Sequence, residues 1–144
     1  MDASRDPRWS AAGPVGAPLV VLIHPTRMNR AFWTPQVEAL TPANRVVSLD
    51  LPGHGWLAAE PFSLAAAVAV VRAAVESERG PLGTPSTTPT VLVGLSLGGY
   101  VAMAAAAESP SLADVLVLAG ATAEPTGGRA RPFRVLALAF DRAD

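Results

Sequence analysis

One serine in this sequence stands where a nucleophile could stand. Gly94-Leu95-Ser96-Leu97-Gly98 follows the apolar run Val91-Leu92-Val93 and leads into the alanine-rich stretch from Val101, an order that reads as strand, elbow, helix. An elbow of this kind forces Ser96 into a strained backbone and holds its hydroxyl up at the carboxyl end of the strand. Gly94 and Gly98 leave out the side chains that would keep strand and helix apart. If the helix begins at Leu97, the Leu97 N–H has no intrahelical acceptor and can point at a developing oxyanion. The spacing therefore fits acyl transfer, with a nucleophile and half of an oxyanion hole. The plainer alternative is a tight strand-to-helix turn in which Ser96 is an ordinary helix cap.

Composition removes several other chemistries. All cations are arginine, which excludes a Walker-type phosphate loop and a Schiff-base lysine. There is no cysteine, hence no disulfide framework and no thiolate. His24 and His54 are the two histidines, too few for a zinc site, so neither metal nor cofactor is expected. A net charge of -1 with scattered arginines gives no surface for nucleic acid. The longest apolar stretches, Leu64 to Val71 and Val101 to Ala107, fall short of the ~18 residues of a membrane span. The first residues carry Asp2, Arg5, Asp6 and Arg8 in place of an apolar signal core, which predicts a cytoplasmic protein without a membrane partner.

The elements that must position Ser96 alternate strand and helix. One compact domain is expected from 144 residues, half of them apolar. Residues 1–17 read as a leader or a weak edge strand. Leu19 to Ile23 is a strand buried on both faces and ends at His24-Pro25. Arg30 to Leu40 has helical spacing, with Pro35 tolerated near its first turn. Arg45 to Leu51 is a second strand, stopped by Pro52-Gly53-His54-Gly55. Ser63 caps a helix that runs to about Ser77, and a linker from Gly80 to Pro89 separates it from a strand over Thr90 to Val93. The helix from Leu97 ends near Glu108, Asp114 to Ala119 is a fourth strand, and Phe133 to Phe140 is a helical fragment. This alternation predicts an α/β fold, a parallel sheet with helices on both faces. In such sheets the site lies beyond the carboxyl ends of the strands, where His24-Pro25-Thr26, Asp50 to Gly55, Ser96-Leu97 and Ala121 to Glu124 all fall.

In that order the chain resembles the α/β-hydrolase family. The resemblance is carried by Val21-Leu22-Ile23-His24-Pro25 with Trp33 behind it, Asp50-Leu51-Pro52-Gly53-His54-Gly55, Gly94-Leu95-Ser96-Leu97-Gly98-Gly99 and Val115-Leu116-Val117-Leu118-Ala119-Gly120, over residues 18–144. It implies Ser96 as nucleophile and the N–H groups of Leu97 and Thr26 as oxyanion donors. The glycine the family usually shows after His24 is Pro25 here, which has no N–H and cannot take a positive φ. His24 and His54, with Asp50, Gly53 and Gly55, are implied to be structural, not the general base.

The family's triad runs serine, acid, histidine, and no histidine follows Ser96. Glu124 sits where a minority of the family place the acid; a solvated loop glutamate is the other reading. The resemblance thus implies the amino-terminal half of the fold, truncated after the counterpart of the sixth strand, with residues 132–144 opening the cap region. The function expected is esterase-like hydrolysis of an ester or related acyl bond in a small-molecule substrate, represented by an incomplete chain. The alternative is an inactive, degenerate hydrolase-fold protein that acts by interaction, self-associating through the exposed strand Val115 to Leu118. Arg27 and Arg30 either meet an anionic substrate or are simply solvated.

Overall fold

Leu19–Ile23 is apolar at every position, so as a strand it needs cover on both faces. In the computed structural model of the protein, which describes residues 6–80 and 87–121, it is β2, the central strand, and all five residues are buried. The sheet order is β1-β3-β2-β4-β5, with β1 at Trp9–Ala12, β3 at Arg45–Leu49, β4 at Thr90–Leu95 and β5 at Val115–Ala119. Parallel pairing joins β3, β2, β4 and β5, and its register sets Ile23 beside both Leu49 and Gly94, and Leu95 beside Ala119. The carboxyl ends of four strands therefore form one edge. β1 lies antiparallel on β3, inside the segment read as leader or weak edge strand.

Helices cover both faces, as expected. Val21, Ile23, Val47, Leu49 and Leu92 pack toward α2 (Leu64–Arg79) and α3 (Leu97–Glu108). Ala102 and Ala105 of α3 are buried, and their small side chains let this helix sit close to the sheet. On the other face Val20, Leu22 and Val46 pack with Trp33, while Val37 and Leu40 of α1 (Thr34–Leu40) lie against them. Among the described residues no helix is long and apolar enough to cross a membrane.

β4 runs to Leu95, two residues past the expected Val93, and β5 starts at Val115, not Asp114; three further boundaries differ from the sequence reading for local reasons. The segment Arg30 to Leu40 is not one helix but a 3₁₀ turn, Arg30–Trp33, followed by α1. The Ala31 carbonyl would pair in an α-helix with the N–H that Pro35 lacks; it instead accepts the Thr34 N–H and, at 2.8 Å, the Thr34 hydroxyl. β3 stops at Leu49: the Asp50 N–H still donates to the Arg8 carbonyl in the register of β1, but the Leu51 N–H turns away from the strands to a histidine. α2 runs two residues beyond Ser77. Its last turn is held by Glu78, paired with Arg45 at 2.7 Å, and by Arg79, which donates to Thr90 Oγ1 at 2.8 Å.

Candidate active site

The elbow forms as the glycines require. Ser96 has φ 51° and ψ −114°, and apart from Arg27 it is the one non-glycine residue with positive φ among the described residues. Such a conformation costs on the order of 1–3 kcal/mol and persists only when its surroundings enforce it. Here they do. The Ser96 N–H donates to the Ala119 carbonyl at 2.8 Å, and a side chain at Gly94 would overlap the backbone of Gly98. A side chain at Gly98 would in turn overlap the carbonyl of Ile23, so helix and strands meet with no room for a methyl group. Ser96 sits at the N-cap position of α3 yet makes no side-chain capping bond, which sets aside the ordinary-cap reading. Leu97 is the first residue of the helix, and its N–H has no intrahelical acceptor.

The neighbouring strand end carries His24, Pro25 and Thr26. His24 is fully buried, and its Nε2 accepts the Leu51 N–H at 3.1 Å. Nε2 is therefore bare, and in the neutral ring the proton is on Nδ1, which donates to the Pro25 carbonyl at 2.8 Å. Burial pushes the His24 pKa below the ordinary histidine value. His54 adds to that effect, while the bond to Pro25 and the charge of Asp50 oppose it. The same Pro25 carbonyl accepts the Met28 N–H at 3.4 Å, closing a turn whose positive φ falls at Arg27. The left-handed residue that Pro25 cannot supply is thus moved two positions along the loop.

One strand further, Asp50 is buried and its carboxylate accepts the N–H of Arg30 at 2.7 Å and of Trp56 at 3.0 Å. The Arg30 side chain lies on the same carboxylate, Nε at 3.6 Å, and donates to the Pro7 carbonyl at 2.7 Å. Arg30 is therefore not simply solvated; it ties two loops together. Gly55 follows in the same turn with φ 53°, and a side chain there would overlap the Asp50 carboxylate. Gly53 also has positive φ, and His54 Nδ1 is bonded to the Pro52 carbonyl at 2.9 Å. The His24 and His54 rings stand 5.1 Å apart.

Ser96, Leu97, His24, Pro25 and Thr26 thus gather on the adjacent ends of β4 and β2, with Asp50 to Gly55 beyond them on β3. The end of β5 joins the same edge, since Gly120 lies near the Ser96 N and Ala121 packs on Gly99. Neither histidine is hydrogen-bonded to Ser96: His24 has both nitrogens engaged and His54 is bonded to Pro52. Glu124 and the cap segment 132–144 lie outside the described residues. Neither the Asp50 clamp on Arg30 and Trp56 nor the exposed Met28 and Trp56 that flank these loops was legible in the sequence. The Arg30 contact spans 20 residues of sequence, whereas the Trp56 contact spans six, within the turn that follows β3.

Comparison with known proteins agrees with this fold. A family model described as the alpha/beta hydrolase family matches residues 20–144. The pimeloyl-[acyl-carrier protein] methyl ester esterase of Xylella fastidiosa (strain M12) is 36% identical over 102 residues, which cover 71% of this chain and 36% of that protein. The chain therefore spans about a third of the length of this curated relative. A hydrolase from Pseudomonas aeruginosa PA01 superposes with a TM-score of 0.70 at 27% identity, over 94% of this chain and 49% of the other. A thermophilic esterase from Thermogutta terrifontis gives a TM-score of 0.66, also at 27% identity, over 94% and 48%.

Proposed function

The chain belongs to the alpha/beta hydrolase family, and from that premise we propose that it carries the nucleophile side of an esterase-like site centred on Ser96. The observation that carries this reading is the backbone of Ser96, strained and uncapped at the junction of β4 and α3. In the proposed reaction Ser96 Oγ bonds to the acyl carbon of a small-molecule ester and gives up its proton to a base. The Leu97 and Thr26 N–H groups face the tetrahedral oxyanion, the alcohol leaves with a proton, and water then releases the acid. The base is proposed to be a histidine outside residues 1–144, since both His24 nitrogens are engaged and His54 Nδ1 is bonded to the Pro52 carbonyl. Glu124 is a candidate for the acid that orients it. The esterase relatives support a carboxylic ester as substrate, and the cytoplasm is the compartment proposed.

A fluorophosphonate that phosphonylates serine nucleophiles provides the test. Labelling is expected at Ser96 and is lost in Ser96→Ala; labelling that persists in Ser96→Ala removes Ser96 from the mechanism.

A second reading, interaction without catalysis, is favoured by β5. Val115, Leu116, Val117 and Leu118 are 38–48% exposed on an edge strand with no charged residue and no proline, the kind of edge that pairs with another chain. Self-association of two copies through β5 would show as a dimer on size-exclusion chromatography, and a well-folded monomer at high concentration counts against it.

A further inference from the structure

The large apolar side chains left exposed are not scattered over the surface. Apart from Val15 and the edge strand β5, those among the described residues are Met28, Phe32, Trp56, Phe62 and Leu64. All five follow the carboxyl ends of β2 and β3, on the edge where Ser96 sits. Apolar side chains gathered on one rim mark a binding surface, because the free energy of exposing them to water is recovered when a ligand covers them.

Two of the five are tied to the oxyanion loop by hydrogen bonds. The Met28 N–H donates to the Pro25 carbonyl at 3.4 Å, in the turn that carries Thr26. Two residues on, the Arg30 N–H shares the Asp50 carboxylate with the Trp56 N–H, at 2.7 and 3.0 Å. The same two loops meet at the His24 and His54 rings, 5.1 Å apart. Gly98, two residues past Ser96, is pressed against the Ile23 and His24 carbonyls. A continuous path therefore runs from the nucleophile over the end of β2 to Trp56 beyond β3, and the Arg30 side chain along it is already paired with Asp50.

We infer that Met28 and Trp56 form an apolar track for an aliphatic tail of the ester and so set the tail length that reacts best. β3 and β4 flank β2, and two strand spacings of about 10 Å are spanned by an extended tail of roughly eight carbons. The substrate class assigned is an ester with a tail of that order in its acyl or its alcohol part. This deepens the esterase reading and rests on it for the position of the reacting carbon. A short ester reaches Ser96 without meeting Trp56, whereas a long one covers its indole, which is 65% exposed.

Alkyl fluorophosphonates test the track on the full chain. Ser96 Oγ bonds to phosphorus as fluoride and the hydroxyl proton leave, and the labelling rate is compared for an ethyl and an octyl group on phosphorus. A methylene taken fully out of water is worth about fourfold, so six more of them, half covered on an open track, should speed labelling by at least about tenfold. In Trp56→Ala and in Met28→Ala the octyl-to-ethyl ratio should fall. In Val15→Ala, which removes an exposed apolar side chain from the loop before β2 at the opposite end of the sheet, the ratio should keep its wild-type value. A wild-type ratio near one, a ratio retained in both Trp56→Ala and Met28→Ala, or a ratio that falls equally in Val15→Ala overturns the inference.

Fluorescence supplies an arm that does not need the serine. In Ser96→Ala, 1-octanol should move the indole emission to shorter wavelength as it covers Trp56. Adding Trp56→Phe, which leaves Trp9 and Trp33 in place, should abolish that shift. No shift in Ser96→Ala, or the same shift in the double variant, overturns the track. A protein that neither fluorophosphonate labels counts against the esterase reading, while the octanol measurement still decides the track.

Discussion

Gly98 has a backbone carbonyl where its side chain would be, and no rotamer can relieve that contact. Gly98→Ala is therefore expected to lose at least the ~1–3 kcal/mol of an overpacked core, read as a lower urea midpoint; an unchanged midpoint would show that helix and strand can separate. His24 gives a second prediction at this scale. Its ring is held neutral in the folded chain, whereas the unfolded ring takes up a proton near the ordinary value of 6.5. Below that value the unfolded state binds more protons, so stability that is fully present above pH 6.5 is lost as the pH falls through the lower, folded value. Denaturation curves across this range should show a decline that is weaker in His24→Asn, whose side chain has no titration to contribute. An equal decline in both would assign the effect to the carboxylates.

Elements show how far local pattern reaches. The apolar runs of β2 and β3 and the Ser63 cap of α2 are written in consecutive residues, so they were legible in the sequence. The break between the 3₁₀ turn and α1 was legible in principle, since Pro35 leaves the Ala31 carbonyl without its helical donor, yet helical spacing alone does not reveal it. β5 was legible as a strand, but its exposure depends on which elements lie beside it. At this scale the prediction is Val117→Lys. Val117 is 47% exposed beside Val93, so the substitution should change monomer stability by only about 0.5 kcal/mol. If β5 pairs two copies, the added charge should abolish the dimer on size-exclusion chromatography; a dimer that survives places the contact elsewhere.

Across the whole molecule the two faces of the sheet are unequal. The side covered by α2 and α3 holds most of the buried apolar residues, whereas the side of Trp33 and α1 is thinner and leaves Val91, Val93 and Leu95 only half-buried. Leu92→Ala, on the thick side, should therefore cost the ~2–5 kcal/mol of a core truncation. Val115→Ala, on the open edge, should cost less than about 1 kcal/mol. Comparable losses at both positions would mean that β5 is covered in solution.

What the sequence determined by itself is the main strands and helices and the glycine-flanked elbow at Ser96, because strand periodicity, caps and the Gly94-to-Gly98 spacing act between near neighbours. The tertiary structure alone decided what those residues touch. That His24 Nε2 meets the Leu51 N–H, that Asp50 accepts from Arg30, and that Gly98 lies under Ile23 are consequences of register between β2, β3 and β4. Register is set by burial of whole strands across the sheet, and no short stretch of sequence contains it.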